Sequence, residues 1–193
     1  MPQQVRGKVC CNDNIIKKEM ETYQYHYKYP HPSVTTDCVV FGFDGHSLKI
    51  LLIERGGEPY KGCWAFPGGF LEMDESAEEG ARRELMEETG LKTVCVKQFH
   101  AFSAPDRDPR ERVLTIAYYS LVRMSEVQGM DDAKQAKWFP LNEVPKLAFD
   151  HDEMLRVARE EISKEIRLET KAWKEMTAGF TREEVKRIEE ELR

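Results

Sequence analysis

Residues 69–91, GFLEMDESAEEGARRELMEETGL, combine a glycine entry, a segment dense in carboxylates and a glycine stop. Pro67, just before them, belongs to a Pro-Gly-Gly run that predicts the end of a strand and a turn. Either Asp74 or Ser76 is suited to cap a helix whose first turn is acidic. Gly90 is expected to end that helix as its C-terminal cap. The stretch therefore predicts a turn followed by a helix.

The predicted helix has two distinct faces. An apolar seam recurs every four residues, at Ala77, Ala81 and Leu85. A different face carries three glutamates, at Glu84, Glu87 and Glu88. Like charges at these spacings repel by about 0.2–0.5 kcal/mol per pair, so the face is either simply solvated or neutralised by a bound cation. Carboxylate oxygens without cysteine or histidine favour Mg²⁺ or Mn²⁺ over Zn²⁺.

The order of these residues resembles the Nudix box, in which a glycine and a glutamate precede Arg-Glu-aliphatic, a Glu-Glu pair and Gly-aliphatic. The chain matches every fixed position, at Gly69, Glu75, Arg83, Glu84, Leu85, Glu87, Glu88, Gly90 and Leu91. The resemblance implies an α/β fold, a Nudix-type α/β/α sandwich with a mixed central sheet. It also implies a catalytic set in which the metal ligands are Glu84, Glu87 and Glu88. Glu75 and Arg83 support that site.

The resemblance implies hydrolysis of a nucleoside diphosphate joined to a further group X, by attack of water on a phosphorus of the pyrophosphate. The chemistry of an acidic site agrees, because a pyrophosphate would be repelled unless cations neutralised both partners. A bound metal ion lowers the pKa of water. A carboxylate that is not used in coordination can accept the proton of that water. The sequence leaves open which glutamate, if any, has this role.

A charged loop, residues 104–111 with the sequence APDRDPRE, bears on the substrate. Its Pro105 stands where ADP-ribose pyrophosphatases of this superfamily typically carry a proline. The resemblance therefore implies ADP-ribose as substrate, with AMP and ribose 5-phosphate as products. On this interpretation Asp106 accepts a ribose hydroxyl, and Arg107 or Arg110 binds phosphate or the terminal ribose. The alternative is a charged hairpin loop with two turn prolines.

Three further residues near the box are candidate substrate contacts. Arg55 is a cation suited to a phosphate or a ribose. Phe66, in a short predicted strand at residues 64–66, is suited either to stack on a base or to pack under the helix. Gly69 opens the box, where the backbone is expected to approach the substrate.

Composition limits the function classes. The chain has 193 residues and a formal net charge of −6, with no basic block of the kind that follows nucleic-acid phosphates. Its start does not resemble a signal peptide, and the apolar runs have strand length, so a cytoplasmic location is expected. Five cysteines show no CxxC pair or zinc spacing. No nucleic-acid or membrane partner is expected, and resemblance to ADP-ribose pyrophosphatases implies a homodimer.

Three regions are expected along the chain: an N-terminal extension at residues 1–32, a Nudix hydrolase domain at residues 33–165 and a C-terminal helical extension at residues 166–193. Alternating tyrosines between residues 23 and 29 suit an edge strand or a dimer contact. A hairpin is predicted around the Asp44-Gly45 turn.

Further elements are expected after the box. Strand-like runs lie at residues 92–103, 111–122 and 136–140, and a short helix is expected to begin at residues 141–144. Asp150 is expected to cap a long helix together with Glu153. His151, beside it, is suited either to the active site or to a structural role. A second capping box, Thr181 with Glu184, predicts a terminal helix.

Two alternatives to ADP-ribose hydrolysis stay open. One is a Nudix hydrolase of another nucleotide, such as a nucleoside triphosphate or a dinucleotide. The other is a transcriptional regulator that senses ADP-ribose without hydrolysing it and binds DNA through a winged helix. About 30 residues follow Lys164, too few for a winged helix, and the complete set of box glutamates favours an enzyme.

Overall fold

The computed structural model describes residues 28–92, 95–125, 127, 129 and 133–192. The chain divides into two compact units, Met1–His31 and Pro32–Arg193. The predicted tyrosine alternation before residue 28, and the cysteines at positions 10 and 11, lie outside the described residues. None of the described helices has the length and apolar character needed to cross a membrane.

The second unit contains all the regular elements of the described chain. Its strands are β1 (Ser33–Phe43), β2 (Leu48–Arg55), β3 (Trp64–Ala65), β4 (Gly68–Phe70), β5 (Lys97–Phe102), β6 (Val113–Arg123) and β7 (Ala133–Pro140). Its helices are α1 (Ala77–Thr89), α2 (His151–Leu168), α3 (Lys171–Thr177) and α4 (Arg182–Leu192).

Strands β1 and β2 form the predicted hairpin. The side chain of Asp44 accepts hydrogen bonds from the backbone N–H groups of His46 and Ser47, each at 2.8 Å. Gly45 adopts a φ of 96°, a left-handed conformation that glycine reaches without a steric penalty. The turn chemistry read from the sequence therefore sets the hairpin.

Strand β1 is the centre of a mixed sheet. It pairs in parallel with β6 along its whole length, from Ser33 opposite Val113 to Phe43 opposite Arg123. On its other side it pairs antiparallel with β2 and β4, while β5 pairs antiparallel with β6 and β7 with β2. The parallel pair at the centre and the antiparallel strands around it make the sheet mixed, as expected.

The two faces of β1 pack against different helices, because side chains alternate along a strand. Cys38 and Val40 belong to one buried cluster with Ala81 and Leu85 of α1. The intervening Val39, Phe41 and Phe43 belong to another, with apolar residues of α2, α3 and α4, among them Met154, Ile162, Trp173 and Ile188. Helices therefore cover both faces of the sheet, and the α/β/α sandwich is confirmed.

Helix α1 begins and ends as the sequence predicts. The Ser76 hydroxyl accepts from the Glu79 N–H at 3.3 Å, and the Glu79 carboxylate accepts from the Ser76 N–H at 2.8 Å, which completes a capping box. Gly90 adopts a φ of 70° and donates its N–H to the Met86 carbonyl. Of the two candidate caps, Ser76 is used.

Two local expectations are wrong. Residues 141–144 form turns rather than a helix, since the Glu143 N–H returns to the Pro140 carbonyl and Pro145 disfavours a helical conformation in the preceding residue. Helix α2 does follow Asp150, but the Asp150 side chain makes no capping hydrogen bond.

The capping box of α4 is present, as predicted: the Thr181 N–H donates to the Glu184 carboxylate, and the Glu184 N–H donates to the Thr181 hydroxyl.

The approach of β4 to β1 makes a prediction for Gly68. A Cβ added there would lie 2.1 Å from the Thr36 carbonyl oxygen and 2.8 Å from the Asp37 Cα. We expect Gly68→Ala to lower the free energy of unfolding by about 1–3 kcal/mol, because the backbones must separate. Urea denaturation measures this change.

The matched control is Gly57→Ala, because a Cβ at Gly57 would meet nothing within 4 Å. It should change the free energy of unfolding by less than about 0.5 kcal/mol. Equal stabilities of the two variants would contradict the close approach of β4 to β1.

Candidate functional site

Arg83 lies at the centre of the carboxylates of α1. Its guanidinium donates to both oxygens of Glu75, at 2.9 and 2.7 Å, and to Glu84 and Glu87 at 2.8 and 3.0 Å. It also donates to the backbone carbonyl of Phe70 at 3.0 Å. These hydrogen bonds raise the pKa of Arg83 and lower that of Glu75. One cation thus joins three box glutamates to the end of β4.

Glu88 holds β4 against the same helix, and Glu84 lies close to it. Glu88 is buried, and its carboxylate accepts the Gly68 N–H at 2.8 Å. A Cβ on Gly69 would lie 2.3 Å from Glu84 Oε1, so the backbone of β4 passes close to that carboxylate. The glycines of the box entry therefore allow the backbone to lie directly on the acidic face.

The box glutamates fit a divalent cation by their chemistry, since all their donors are hard oxygens. In the described part of the chain, however, no group of three or more His, Cys, Asp or Glu side chains is arranged to hold a metal ion. Arg83 instead bonds Glu84 and Glu87, while Glu88 turns to Gly68. The assignment of Glu84, Glu87 and Glu88 as metal ligands stays a prediction.

A polar cavity lies beside β4. Its lining residues are Thr35, Asp37, Arg55, Phe66, Gly68, Gly69, Phe70, Arg107, Asp108, Arg110, Phe149 and His151. Five of the six predicted substrate contacts are among them: Arg55, Phe66, Gly69, Arg107 and Arg110. The sixth, Asp106, is exposed and is not among the lining residues. The structure thus brings the charged loop and the box entry to one place.

Arg107 is bound to the start of α2. Its Nε and Nη2 donate to the two carboxylate oxygens of Asp150 at 2.9 and 2.7 Å, and its side chain is only 4% exposed. This bidentate pair explains why Asp150 does not cap α2 with its side chain. It also fixes the loop of residues 104–111 against the helix that carries His151.

Asp108 and Arg110 form a second bidentate pair in the same loop, with N–O distances of 3.0 and 2.7 Å. Burial opposes ionisation of Asp108, but the hydrogen bonds from Arg110 outweigh it and lower the pKa of that carboxyl. The Arg110 guanidinium also lies 5.4 Å from the centre of the Phe70 ring. Arg110 therefore connects the loop to the end of β4.

Phe149 is a cavity residue that the sequence did not single out. The Arg55 guanidinium lies 4.8 Å from its ring centre, and the Tyr60 ring meets it edge-on at 4.7 Å. Phe149 and Tyr60 have positive φ values of 53° and 62°, which are uncommon for bulky residues. No local sequence pattern distinguishes this residue, because its neighbours come from distant loops.

Phe66 packs rather than presenting a face for a base. It is fully buried, and its ring stacks on His151 with centroids 5.4 Å apart. The Phe66 N–H donates to His151 Nδ1 at 3.0 Å. Phe66 therefore packs against His151 of α2, in the cluster on that face of the sheet, and not under the box helix α1 as the packing interpretation expected.

His151 and Asp37 form the buried polar part of the cavity. Burial lowers the pKa of His151, so the imidazole is neutral at pH 7. Because Nδ1 accepts from Phe66, the proton lies on Nε2, which is 3.7 Å from Asp37 Oδ1. Asp37 was missed in the sequence, although an aspartate within the apolar run VTTDCVVF was a signal.

Comparison with known sequences identifies relatives of two functional kinds. The sequence profile of the NUDIX domain matches residues 31–158. An ADP-ribose pyrophosphatase of Methanocaldococcus jannaschii is 41% identical over 150 residues, which cover 78% of this chain and 85% of that protein. The ADPR responsive transcriptional repressor NtrR of Acinetobacter baylyi is 34% identical over 167 residues, covering 84% and 67%.

Solved structures share the fold. The NUDIX domain of Shewanella oneidensis NrtR, in complex with ADP ribose, superposes with a TM-score of 0.67 at 30% identity, covering 76% of this chain and 97% of that one. A bifunctional NMN adenylyltransferase/ADP ribose pyrophosphatase of Francisella tularensis, complexed with AMP and Mn ion, gives a TM-score of 0.61 at 30% identity. The superposed part is 76% of this chain but only 46% of that protein.

The pair of Arg107 with Asp150 makes a prediction for stability. We expect Asp150→Asn to lower the free energy of unfolding by about 2–4 kcal/mol, because it leaves the buried Arg107 without its counter-charge. We expect a loss of unfolding free energy toward the low end of this range, because the Asp150 side chain is 23% exposed and water can reach the pair. Thermal and urea unfolding measure the loss.

A neighbouring exposed pair supplies the control. Asp152 of α2 pairs with Lys146, whose side chain is 85% exposed. Asp152→Asn should cost at most about 1 kcal/mol. If the two variants are equally stable, Arg107 is not held as a buried ion.

Proposed function

Because this chain belongs to the Nudix family, we propose that it hydrolyses the pyrophosphate of ADP-ribose, with Mg²⁺ or Mn²⁺, to AMP and ribose 5-phosphate. The observation that carries the proposal is the complete set of box residues placed directly beside a cavity lined by three arginines, Arg55, Arg107 and Arg110. Similarity to the ADP-ribose pyrophosphatase of M. jannaschii supports this substrate over other nucleotides.

The box glutamates are the proposed metal site. Glu84, Glu87 and Glu88 would hold the cation, which when bound neutralises the pyrophosphate and lowers the pKa of the attacking water. Arg83 positions Glu84 and Glu87 through hydrogen bonds of 2.8 and 3.0 Å. The Glu87 side chain is 44% exposed, so it is the proposed ligand that a cation from solvent reaches most directly.

The cavity is the proposed site for the group joined to the pyrophosphate. Arg110, which is partly exposed, and Arg55, which is half-buried, provide positive charge next to the box entry. Positive charge there offsets the negative charge that the substrate brings to an acidic site. Arg107 is already paired with Asp150 and serves to position the loop.

The proposal makes a prediction for Glu87. We expect Glu87→Gln to lower kcat/KM for ADP-ribose by at least about 10–100-fold, because changes around a metal site have effects of this size. AMP release in the presence of Mg²⁺ measures it. The exposed position of Glu87 should leave the fold intact, as unfolding curves can verify.

Glu78→Gln is the matched control. Glu78 lies on α1 as well, but it pairs with Arg82 rather than with Arg83. The kcat/KM of Glu78→Gln should stay within about threefold of the wild-type value, since an exposed ion pair contributes little to stability. Unchanged activity of Glu87→Gln would remove Glu87 from the proposed mechanism.

A second candidate function is ADP-ribose sensing without hydrolysis. It is favoured by the 34% identity to the NtrR repressor and by the similarity to an NrtR domain bound to ADP ribose. The complete glutamate set favours catalysis, because binding alone does not require a metal-activated water.

Two assays separate these functions. If the chain is a hydrolase, ADP-ribose is consumed with Mg²⁺, and a promoter-DNA gel shift gives no sequence-dependent complex. Tight ADP-ribose binding without turnover, together with a DNA complex that ADP-ribose dissociates, would establish the sensor instead.

The remaining expectations complete the proposal. We expect a cytoplasmic homodimer that does not bind nucleic acid, with residues 33–165 as the hydrolase domain. The regions 1–32 and 166–193 are its proposed extensions. The apolar residues Ile188 and Leu192 of α4 share a buried cluster with β1, which indicates that the C-terminal extension stabilises the hydrolase domain.

A further inference from the structure

The cavity contains a buried carboxylate with unmet hydrogen-bonding capacity. Asp37 is 7% exposed, and within the described ranges of the chain its side chain receives no hydrogen bond. Its oxygens are not among the fully buried side-chain atoms without a partner, so the carboxylate is open to the cavity that Asp37 lines. The closest candidate is the His151 Nε2–H, but a distance of 3.7 Å is too long for a hydrogen bond.

The separation of these two groups allows one oxygen atom to contact both from the side, where both residues line the cavity. An oxygen about 2.8 Å from both would form two hydrogen bonds of normal length. His151 Nε2–H is a donor and Asp37 is an acceptor, so the bridging group must accept one hydrogen bond and donate another. A hydroxyl does both, whereas a phosphate oxygen without a proton can only accept.

The position and size of the cavity restrict which part of a substrate carries that hydroxyl. Asp37 of β1 lies opposite Gly68 of β4, whose N–H is held by Glu88 of the box helix. The cavity is therefore next to the proposed pyrophosphate site. Its volume of about 110 Å³ is well below the roughly 300–1,000 Å³ of sites for whole ligands. It suits a single sugar ring.

We propose that Asp37 and His151 together bind one hydroxyl of the sugar that is joined to the nucleoside diphosphate. The hydroxyl donates to Asp37 Oδ1 and accepts from His151 Nε2–H. The inference rests on the proposed function, and it makes this pair a determinant of specificity for hydroxylated groups X. Arg107 contributes indirectly, because its pair with Asp150 fixes the residue before His151.

Two variants remove one hydrogen bond each. Asp37→Asn keeps the size of the side chain but loses its charge. His151→Asn keeps an acceptor near the Nδ1 position for the Phe66 N–H while removing the Nε2 donor. Asp152→Asn, an exposed charge removal next to His151, is the control. Unfolding curves verify that each variant is folded.

Two substrates distinguish the sugar contact from a general effect. One is ADP-ribose, and the other is the cyclopentylmethyl ester of ADP, which keeps the pyrophosphate and the ring but has no hydroxyl. We expect Asp37→Asn and His151→Asn each to lower kcat/KM for ADP-ribose by about 10–100-fold, as for loss of a hydrogen bond to a charged group. For the ester the change should stay within about threefold.

The double variant adds a test of the shared hydroxyl. Both hydrogen bonds belong to one hydroxyl. The fold-decrease in kcat/KM of the double variant with ADP-ribose should therefore be well below the product of the two single decreases. Equal losses on both substrates would overturn the proposal, since the pair would then be positioning the site or an ordered water. Unchanged kinetics with ADP-ribose would overturn it as well.

A binding measurement keeps this inference separate from the proposed function. Calorimetry with the methylene-bridged analogues of both compounds, in Mg²⁺, gives Kd values without hydrolysis. If the wild type hydrolyses neither compound, the proposed function fails, yet selective weakening of the ADP-ribose analogue by Asp37→Asn still supports the sugar contact. Equal weakening of both analogues, or binding of neither by the wild type, overturns it.

Discussion

The ion pairs of Arg83 are the interaction on which the rest of the site depends. One guanidinium binds Glu75, Glu84 and Glu87 and the Phe70 carbonyl, and so joins the loop before α1 and two glutamates of its acidic face to β4. Without a cation at this point, carboxylates one turn apart on α1 would repel each other. The same interaction places the box entry, which lies between β4 and α1, at the wall of the cavity.

A second arginine joins the charged loop to helix α2 beside the cavity. Arg107 is nearly buried and is bound by Asp150, immediately before the helix that carries His151. The Asp150 carboxylate bonds Arg107 instead of capping that helix. The ion pair therefore replaces a hydrogen bond within the helix terminus by a contact between distant segments. The charged loop of residues 104–111 and His151 are therefore fixed to each other, and both line the cavity in which the sugar contact is proposed.

Local chemistry made much of the fold predictable. The Asp44-Gly45 turn, the Ser76 capping box and the Gly90 cap each depend on residues a few positions apart, and each is found. The turns at residues 141–144 also have a local cause, since Pro145 disfavours a helical conformation in the residue before it. The failed cap of α2 depends instead on a distant partner, because nothing near Asp150 identifies Arg107, 43 residues earlier, as a competitor. Likewise, His151 and Asp37 lie close together only because α2 packs on the sheet that contains β1, and no local sequence pattern encodes this packing.

The central claim is that the box glutamates and the neighbouring cavity act on one substrate. A crystal structure with Mn²⁺ and methylene-bridged ADP-ribose, using the anomalous signal of manganese, tests it most directly. We expect manganese at Glu84, Glu87 and Glu88, the pyrophosphate beside it, and the sugar in the cavity beside Asp37. Manganese away from these glutamates, or ADP-ribose bound with its pyrophosphate outside the box, would contradict it.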